Sequence, residues 1–225
     1  MNFSFLLDPY YQSLLLQGLF VTLVLALLAV FIGTLLALGL AIVRMSSFKP
    51  LKFIVVAYVE IIRGTPIVVQ LIIMYSLLRL PVMLINNFDI SPFIPGMFTL
   101  FINSSAYMSE VVRAGVASVD KGQSEAGRSL GLTQGQTFRK IILPQAIKNI
   151  LPALGNEFVT LIKETSVLMY SGVAELTYQA SMIKSETYSF MESYLVAAVL
   201  YFALTFPTSK LMAYLERRMK KADAK

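Results

Sequence analysis

The sequence predicts an all-α integral membrane protein, a bundle of five transmembrane helices forming one domain over residues 1–225. Three observations predict it. Only 14% of the residues are charged and 56% are hydrophobic, whereas soluble domains carry about a quarter charged residues. Residues 9–43 contain no charged side chain at all, more than the ~20 residues a spanning helix needs. The cations of a chain with net charge +6 gather at the ends of the apolar runs, as membrane orientation requires.

The first predicted span is 14–43, and a run so long with no basic leader is not a signal peptide. The second is 53–78, carrying Glu60 and Arg63 in its first half. The third is 91–117. The fourth, 150–173, is the least apolar, because it holds Glu157, Lys163 and Glu164. The fifth is 193–214. Arg44, Lys49 and Lys52 follow the first span. Lys121, Arg128, Arg139, Lys140 and Lys148 lie between the third and fourth. Arg217, Arg218, Lys220, Lys221 and Lys225 form the tail. Placing these clusters in the cytoplasm puts the N-terminus outside, the C-terminus inside and residues 120–145 on the cytoplasmic side.

Several chemistries are excluded. With no histidine and no cysteine, disulfides, thiol nucleophiles, the usual zinc and haem ligands and Ser-His-Asp catalysis are absent. No basic stripe interleaves with aromatics, so nucleic acid is not an expected partner. A membrane enzyme would need clustered carboxylates at one depth, which the sequence lacks.

The polar segment EAGRSLGLTQGQTFRKIILPQA, residues 125–146, stands out among the apolar runs. It reads as two short helices. Asp120 caps the first, with Gln123 three residues on in the manner of a capping box. Gln123–Leu130 makes about two turns, and Gly131 suits a left-handed stop. Thr133 caps the second, again with Gln136 at the third position. Pro144 marks the turn toward the fourth span. Ser124, Ala126, Gly127 and Ser129 are small and would let another surface approach, with Glu125 and Arg128 beside it. A docking element and a solvated connector are both consistent with this pattern.

Spacing adds a further signal. Glu125-Ala126-Gly127, then three residues, Gly131, then nine residues and Ile141-x-Leu143-Pro144 resembles the EAA motif of ABC importer permeases, with Gly127 in place of the third position's alanine. Glu60-Ile61-Ile62-Arg63-Gly64-Thr65-Pro66, Leu143-Pro144-Gln145-Ala146, Lys163-Glu164-Thr165-Ser166 and Gly172-Val173-Ala174-Glu175-Leu176 resemble the polar amino acid branch of those permeases. The resemblance covers nearly the whole chain. It implies the type I importer fold in a bacterial inner membrane. Glu125, Ala126, Gly127, Arg128 and Gly131 would lie on a coupling helix that docks on a separate ATPase. It further implies two ATPase copies, a second permease subunit (identical or paralogous) and an external solute-binding protein. No cofactor is expected in this chain. It has no phosphate-binding G-x-x-x-x-G-K-[ST] loop, so ATP and Mg would be held by the ATPase. The alternative function is a secondary transporter or channel driven by an ion gradient, or a scaffold that transports nothing.

Polar residues inside spans mark function by default. Thr99, Asn103, Tyr107 and Glu110 share one stripe of the third span. Asn156, Thr160, Lys163, Glu164 and Thr165 lie largely on one side of the fourth. Asn103 and Glu164 are each roughly 21 Å from the cytoplasmic edge at 1.5 Å per residue, so they could line one cavity. Glu164, Asn103, Thr160, Thr165 and Tyr107 are the candidate solute contacts. Gly96 joins them if Pro92 and Pro95 unwind the start of the third span. Each has a structural alternative: neutralisation within the bundle for Lys163 and Glu164, interhelical hydrogen bonding for Asn103 and Ser104. Arg63-Gly64-Thr65-Pro66 is expected to kink the second span, and Glu110 with Arg113 to form an ion pair. If Glu164 faces the pathway, a cationic amino acid such as arginine, lysine or histidine is the expected solute.

Overall fold

The computed structural model describes residues 1–85 and 88–223; Lys225 of the basic tail lies outside them. The chain is a helical bundle built around one long helix. α1, Pro9–Met45, is capped by the Asp8 carboxylate on the Tyr10 amide. Its 37 residues span about 55 Å at 1.5 Å each, so it overshoots a ~30 Å hydrocarbon core unless tilted. A seam of small residues runs along it: Gly18, Thr22, Ala26, Ala29, Gly33, Ala37 and Ala41, all buried. Their spacing of three and four keeps them on one face.

The 53–78 run is not one straight helix. It divides into α2, Lys49–Arg63, and α3, Ile67–Leu78, bent by 110° across the break. Pro66 forces this. It disfavours helical backbone at Thr65 and supplies no amide of its own. The orphaned carbonyls of Ile62 and Thr65 are taken up by the Gln70 side-chain amide at 2.8 and 3.1 Å.

Two short antiparallel strands, β1 (Leu84–Ile85) and β2 (Phe88–Asp89), precede α4, Phe93–Ala117. The Ser91 amide and hydroxyl donate to Asp89 and hold its carboxyl below the usual range. α4 is the central partner of α1 and also packs on α2, α3 and α7. Tyr58 of α2 bonds the Ile102 carbonyl and the Ser105 hydroxyl at 2.9 and 2.8 Å. The apolar centre of the bundle is Leu25, Ala29, Leu71, Leu100, Met108, Leu161 and Leu168.

After α4 come α5, Lys121–Ser129, α6, Gln134–Thr137, a five-residue π turn, Phe138–Ile142, and α7, Leu143–Glu164. The π turn follows from Pro144. Its ring lacks the amide that would bond one turn back, and the Leu143 amide reaches Phe138 five residues earlier. α7 starts inside the cytoplasmic segment expected from sequence and stops at Glu164. The rest of the 150–173 run is a 3-10 helix, Thr165–Ser171, closed by Gly172. α8, Leu176–Thr187, has no counterpart among the predicted elements. α9, Phe190–Asp223, contains the fifth predicted run and carries Pro207 within it.

By length and apolarity α1 and residues 190–219 suffice to cross a membrane, and the bent α2–α3 pair is a third candidate. α4 and α7 fall short of that apolarity: α4 carries buried Thr99, Asn103, Ser104, Ser105 and Ser109, and α7 carries Lys148, Glu157, Lys163 and Glu164.

Candidate functional site

The break between α2 and α3 organises the first half of the site. Gln70 spends its side-chain amide on the carbonyls of Ile62 and Thr65, so its own oxygen must face the other way. There it accepts from Asn103 Nδ2 at 3.1 Å. Asn103 is thereby oriented with its amide toward α3 and its carbonyl oxygen toward the interior. That oxygen is buried and has no hydrogen-bond partner among the described residues. The residue itself is only 3% exposed.

Glu164 ends α7. One of its carboxylate oxygens, Oε2, is likewise buried and unpartnered. α7 packs against α4, so each of two adjoining helices contributes one open acceptor. Glu157 lies seven residues before Glu164, nearly the same face of a helix, half-buried and close enough to interact with it electrostatically. Two carboxylates and an amide oxygen present acceptors only. Ionised carboxylates and an amide oxygen are the acceptor type that pairs with a donor-rich cation; within the chain the cation facing Glu164 is Lys163. Neither Gln70 nor Glu157 was singled out from sequence as a site residue. The signal available for Gln70 was a lone amide in an apolar run just past a proline.

The other candidates divide. The Thr165 hydroxyl is fully buried and bonds the Ile162 carbonyl at 2.9 Å, and Thr160 bonds the Asn156 carbonyl at 3.2 Å. Tyr107 lies beneath Arg63, whose guanidinium is 5.5 Å from the ring centroid. Gly96 departs from expectation. The first turn of α4 is intact, with the Gly96 amide on the Pro92 carbonyl at 3.4 Å. Pro92 and Pro95 precede or sit within the first turn, where a missing amide costs nothing. The glycine instead makes room for Leu168, which a Cβ would meet at 3.1 Å.

Glu110 does pair with Arg113, and it also accepts from Arg44 at 2.6 Å. The sequence assigned Arg44 to a loop; the structure makes it the third member of a cluster joining α1 and α4.

The segment after α4 folds on itself. Asp120 caps α5 through the Gly122 amide at 2.7 Å. Gln123 does not complete the expected capping box; its oxygen accepts from Gln145 at 3.3 Å. Gly131 has φ +82°, the left-handed stop. Thr133 and Gln136 form a reciprocal capping box at 2.9 and 3.3 Å. Gly127 is buried, and a Cβ there would stand 2.8 Å from both Ile141 and Thr137. It therefore faces its own loop rather than an outside surface. Glu125, Ala126, Arg128 and Leu130 are exposed, Leu130 by 81%.

Outside these sites, Glu175 is a fully buried carboxylate that caps α8, accepting the Thr177 and Tyr178 amides at 2.9 and 2.8 Å and the Tyr201 hydroxyl at 2.7 Å. It knots α8 to α9, while the Leu176 amide donates to Thr22 of α1 at 3.2 Å. No group of three or more possible metal ligands occurs among the described residues.

Comparison with known proteins bears directly on this architecture. Residues 29–221 match the family described as "Binding-protein-dependent transport system inner membrane component". The chain is 35% identical over 223 residues to the arginine transport system permease protein ArtQ of Bacillus subtilis (strain 168), covering 99% of this chain and 100% of that one. It is 39% identical over 207 residues to the glutamine transport system permease protein GlnP of Escherichia coli (strain K12), covering 92% and 93%. A chain from the crystal structure of an amino acid ABC transporter with histidines superposes with a TM-score of 0.88 at 47% identity, over 97% of this chain and 100% of that one. Matched along most of its length by that family and along nearly all of it by these relatives, the chain belongs to the binding-protein-dependent transport system inner membrane components.

Proposed function

We propose that this chain is the permease subunit of an ATP-driven importer for amino acids, with a preference for cationic ones. Solute passes by alternating access between the binding protein's face and the cytoplasm. Residues 120–145 dock on a separate ATPase, present in two copies and binding ATP and Mg, and a second permease subunit completes the pathway. The N-terminus is outside and the C-terminus in the cytoplasm. The observation that carries the coupling role is the self-packed α5–α6 loop. Its interior contacts are filled by Gly127, Thr137 and Ile141, and its outer face, with Glu125, Ala126, Arg128 and Leu130, is exposed. A mere connector needs no such internal order. The named relatives, an arginine and a glutamine permease, support the solute class.

The coupling role is tested at Gly131. Valine at φ +82° carries a strain of about 1–2 kcal/mol, which distorts the docking face. Gly131→Val is expected to weaken co-purification with the ATPase by roughly tenfold and to reduce ATP-dependent uptake in proteoliposomes. Uptake that needs no ATPase at all would favour the ion-gradient alternative.

The cationic preference rests on the buried, unpartnered oxygens of Asn103 and Glu164. Hydrogen bonds to charged groups are worth about 1.5–3 kcal/mol. Glu164→Gln should therefore weaken arginine-stimulated ATP hydrolysis by roughly tenfold or more, and leave stimulation by a neutral amino acid nearly unchanged. Equal arginine responses in both forms would refute the assignment.

A further inference from the structure

The ends of α1 and α4 and the first half of α2 flank an open pocket of about 500 Å³ whose lining includes Arg44, Lys52 and Arg113. Two of its three cations, Arg44 and Arg113, bond one carboxylate, Glu110. Positive charge is thus left over, and it is not evenly placed. Arg44 is nearly buried, its side chain 9% exposed, while Arg113 is 43% exposed beside it. Lys52 forms no ion pair among the described residues. Arg113 gives its Nε and one Nη to Glu110, so an anion would meet its remaining N–H groups and Lys52, with both Glu110 pairs left in place.

The surroundings indicate what kind of anion. Met45 and Val56 line the pocket beside the cations, and Phe48, four residues before Lys52 as Val56 is four after it, is 62% exposed. A small soluble anion gains nothing from an apolar collar. A phospholipid needs both a basic pocket and an adjoining surface for its chains. We propose that this cavity seats the anionic headgroup of a membrane phospholipid. Its phosphate is held by Arg113 and Lys52, and its acyl chains lie along Met45, Val56 and Phe48. The lipid then braces the inner ends of α1, α2 and α4 around Glu110. Assignment to the cytoplasmic leaflet rests on the orientation proposed above; the pocket itself does not.

The test uses the full chain co-expressed with its ATPase subunit, delipidated in mild detergent and titrated with phosphatidylglycerol or phosphatidylcholine. Retained lipid is counted by native mass spectrometry. Each cation near an anionic lipid is worth about fivefold in affinity. Phosphatidylglycerol should be retained over phosphatidylcholine, about fivefold less by Lys52→Gln, and without change by the distant Lys184→Gln. Equal retention of the two lipids, or an unchanged preference in Lys52→Gln, overturns the proposal. Displacement of phosphatidylglycerol by millimolar inorganic phosphate overturns it in favour of a soluble anion. Labelling of Lys52→Cys by an impermeant maleimide from outside the cell would refute the orientation, while lipid retention alone decides the pocket.

Discussion

Glu175→Ala is expected to destabilise the protein more than any substitution at the solute site. The carboxylate is fully buried and satisfies three donors: two amides in the first turn of α8 and the Tyr201 hydroxyl. Alanine leaves the Thr177 and Tyr178 amides without that acceptor, while the Tyr201 hydroxyl keeps its contact with the Thr177 hydroxyl at 2.9 Å. Each buried group left unsatisfied costs about 1–3 kcal/mol, so a total of roughly 3–5 kcal/mol is expected. At about 2–4 °C per kcal/mol for a chain of this size, Tm should fall by roughly 6–20 °C. Tyr201→Phe removes only one of the donors and should cost about 1 kcal/mol. Glu175→Gln keeps one acceptor and should fall between them. Thermal unfolding of purified protein in detergent, followed by loss of the monodisperse gel-filtration peak, gives the ranking. Glu175→Ala unfolding alongside wild type would mean that α8 is held by its apolar contacts with α1 and α9 alone.

The second large effect lies on the small-residue seam of α1. At Gly33 an added Cβ would land on the Ser104 side chain of α4. At Gly18 it would stand 2.9 Å from the Leu176 backbone. The close approach also lets the Ser104 hydroxyl donate to the Ala29 carbonyl at 3.2 Å. Between apolar helices in lipid, association depends on this kind of contact, because burial of apolar surface supplies no drive there. Overpacking a core costs about 1–3 kcal/mol, and Gly33→Leu adds the lost Ser104 bond. The variant is expected to accumulate poorly in membranes and to aggregate on extraction. Gly39 is the internal control. It is on the same helix, has nothing within 4 Å of an added Cβ, and its leucine variant should behave as wild type. Equal behaviour of the two leucine variants would mean that α1 and α4 do not depend on close contact at Gly33.

How far the sequence reached differs by element. The caps at Asp120 and Thr133 and the left-handed stop at Gly131 were readable because each involves partners within three residues. Gln123 failed as a capping-box member because Gln145, twenty-two residues on, competes for it. The proline in the second run announced a break, but not its 110° size, which depends on where Gln70 and α4 hold the two halves. α8 went unread because its polar, weakly apolar sequence resembles a loop until Glu175 is seen to be buried against Tyr201. The seam of α1 was present in the sequence at helical spacing, yet nothing there said that Ser104 would face Gly33.

The sequence by itself determined the membrane class, the basic character of the loops, the caps of the α5–α6 segment and the family, because these depend on run length, charge and spacing along the chain. Only the tertiary structure decided that Asn103 turns its oxygen inward from Gln70, thirty-three residues away, and that Glu110 takes Arg44 from sixty-six residues away. It alone closed Glu175 with Tyr201, twenty-six residues on. A buried polar atom is assigned its role by the partner that satisfies it, and that partner is chosen by the packing of helices, not by proximity in the chain.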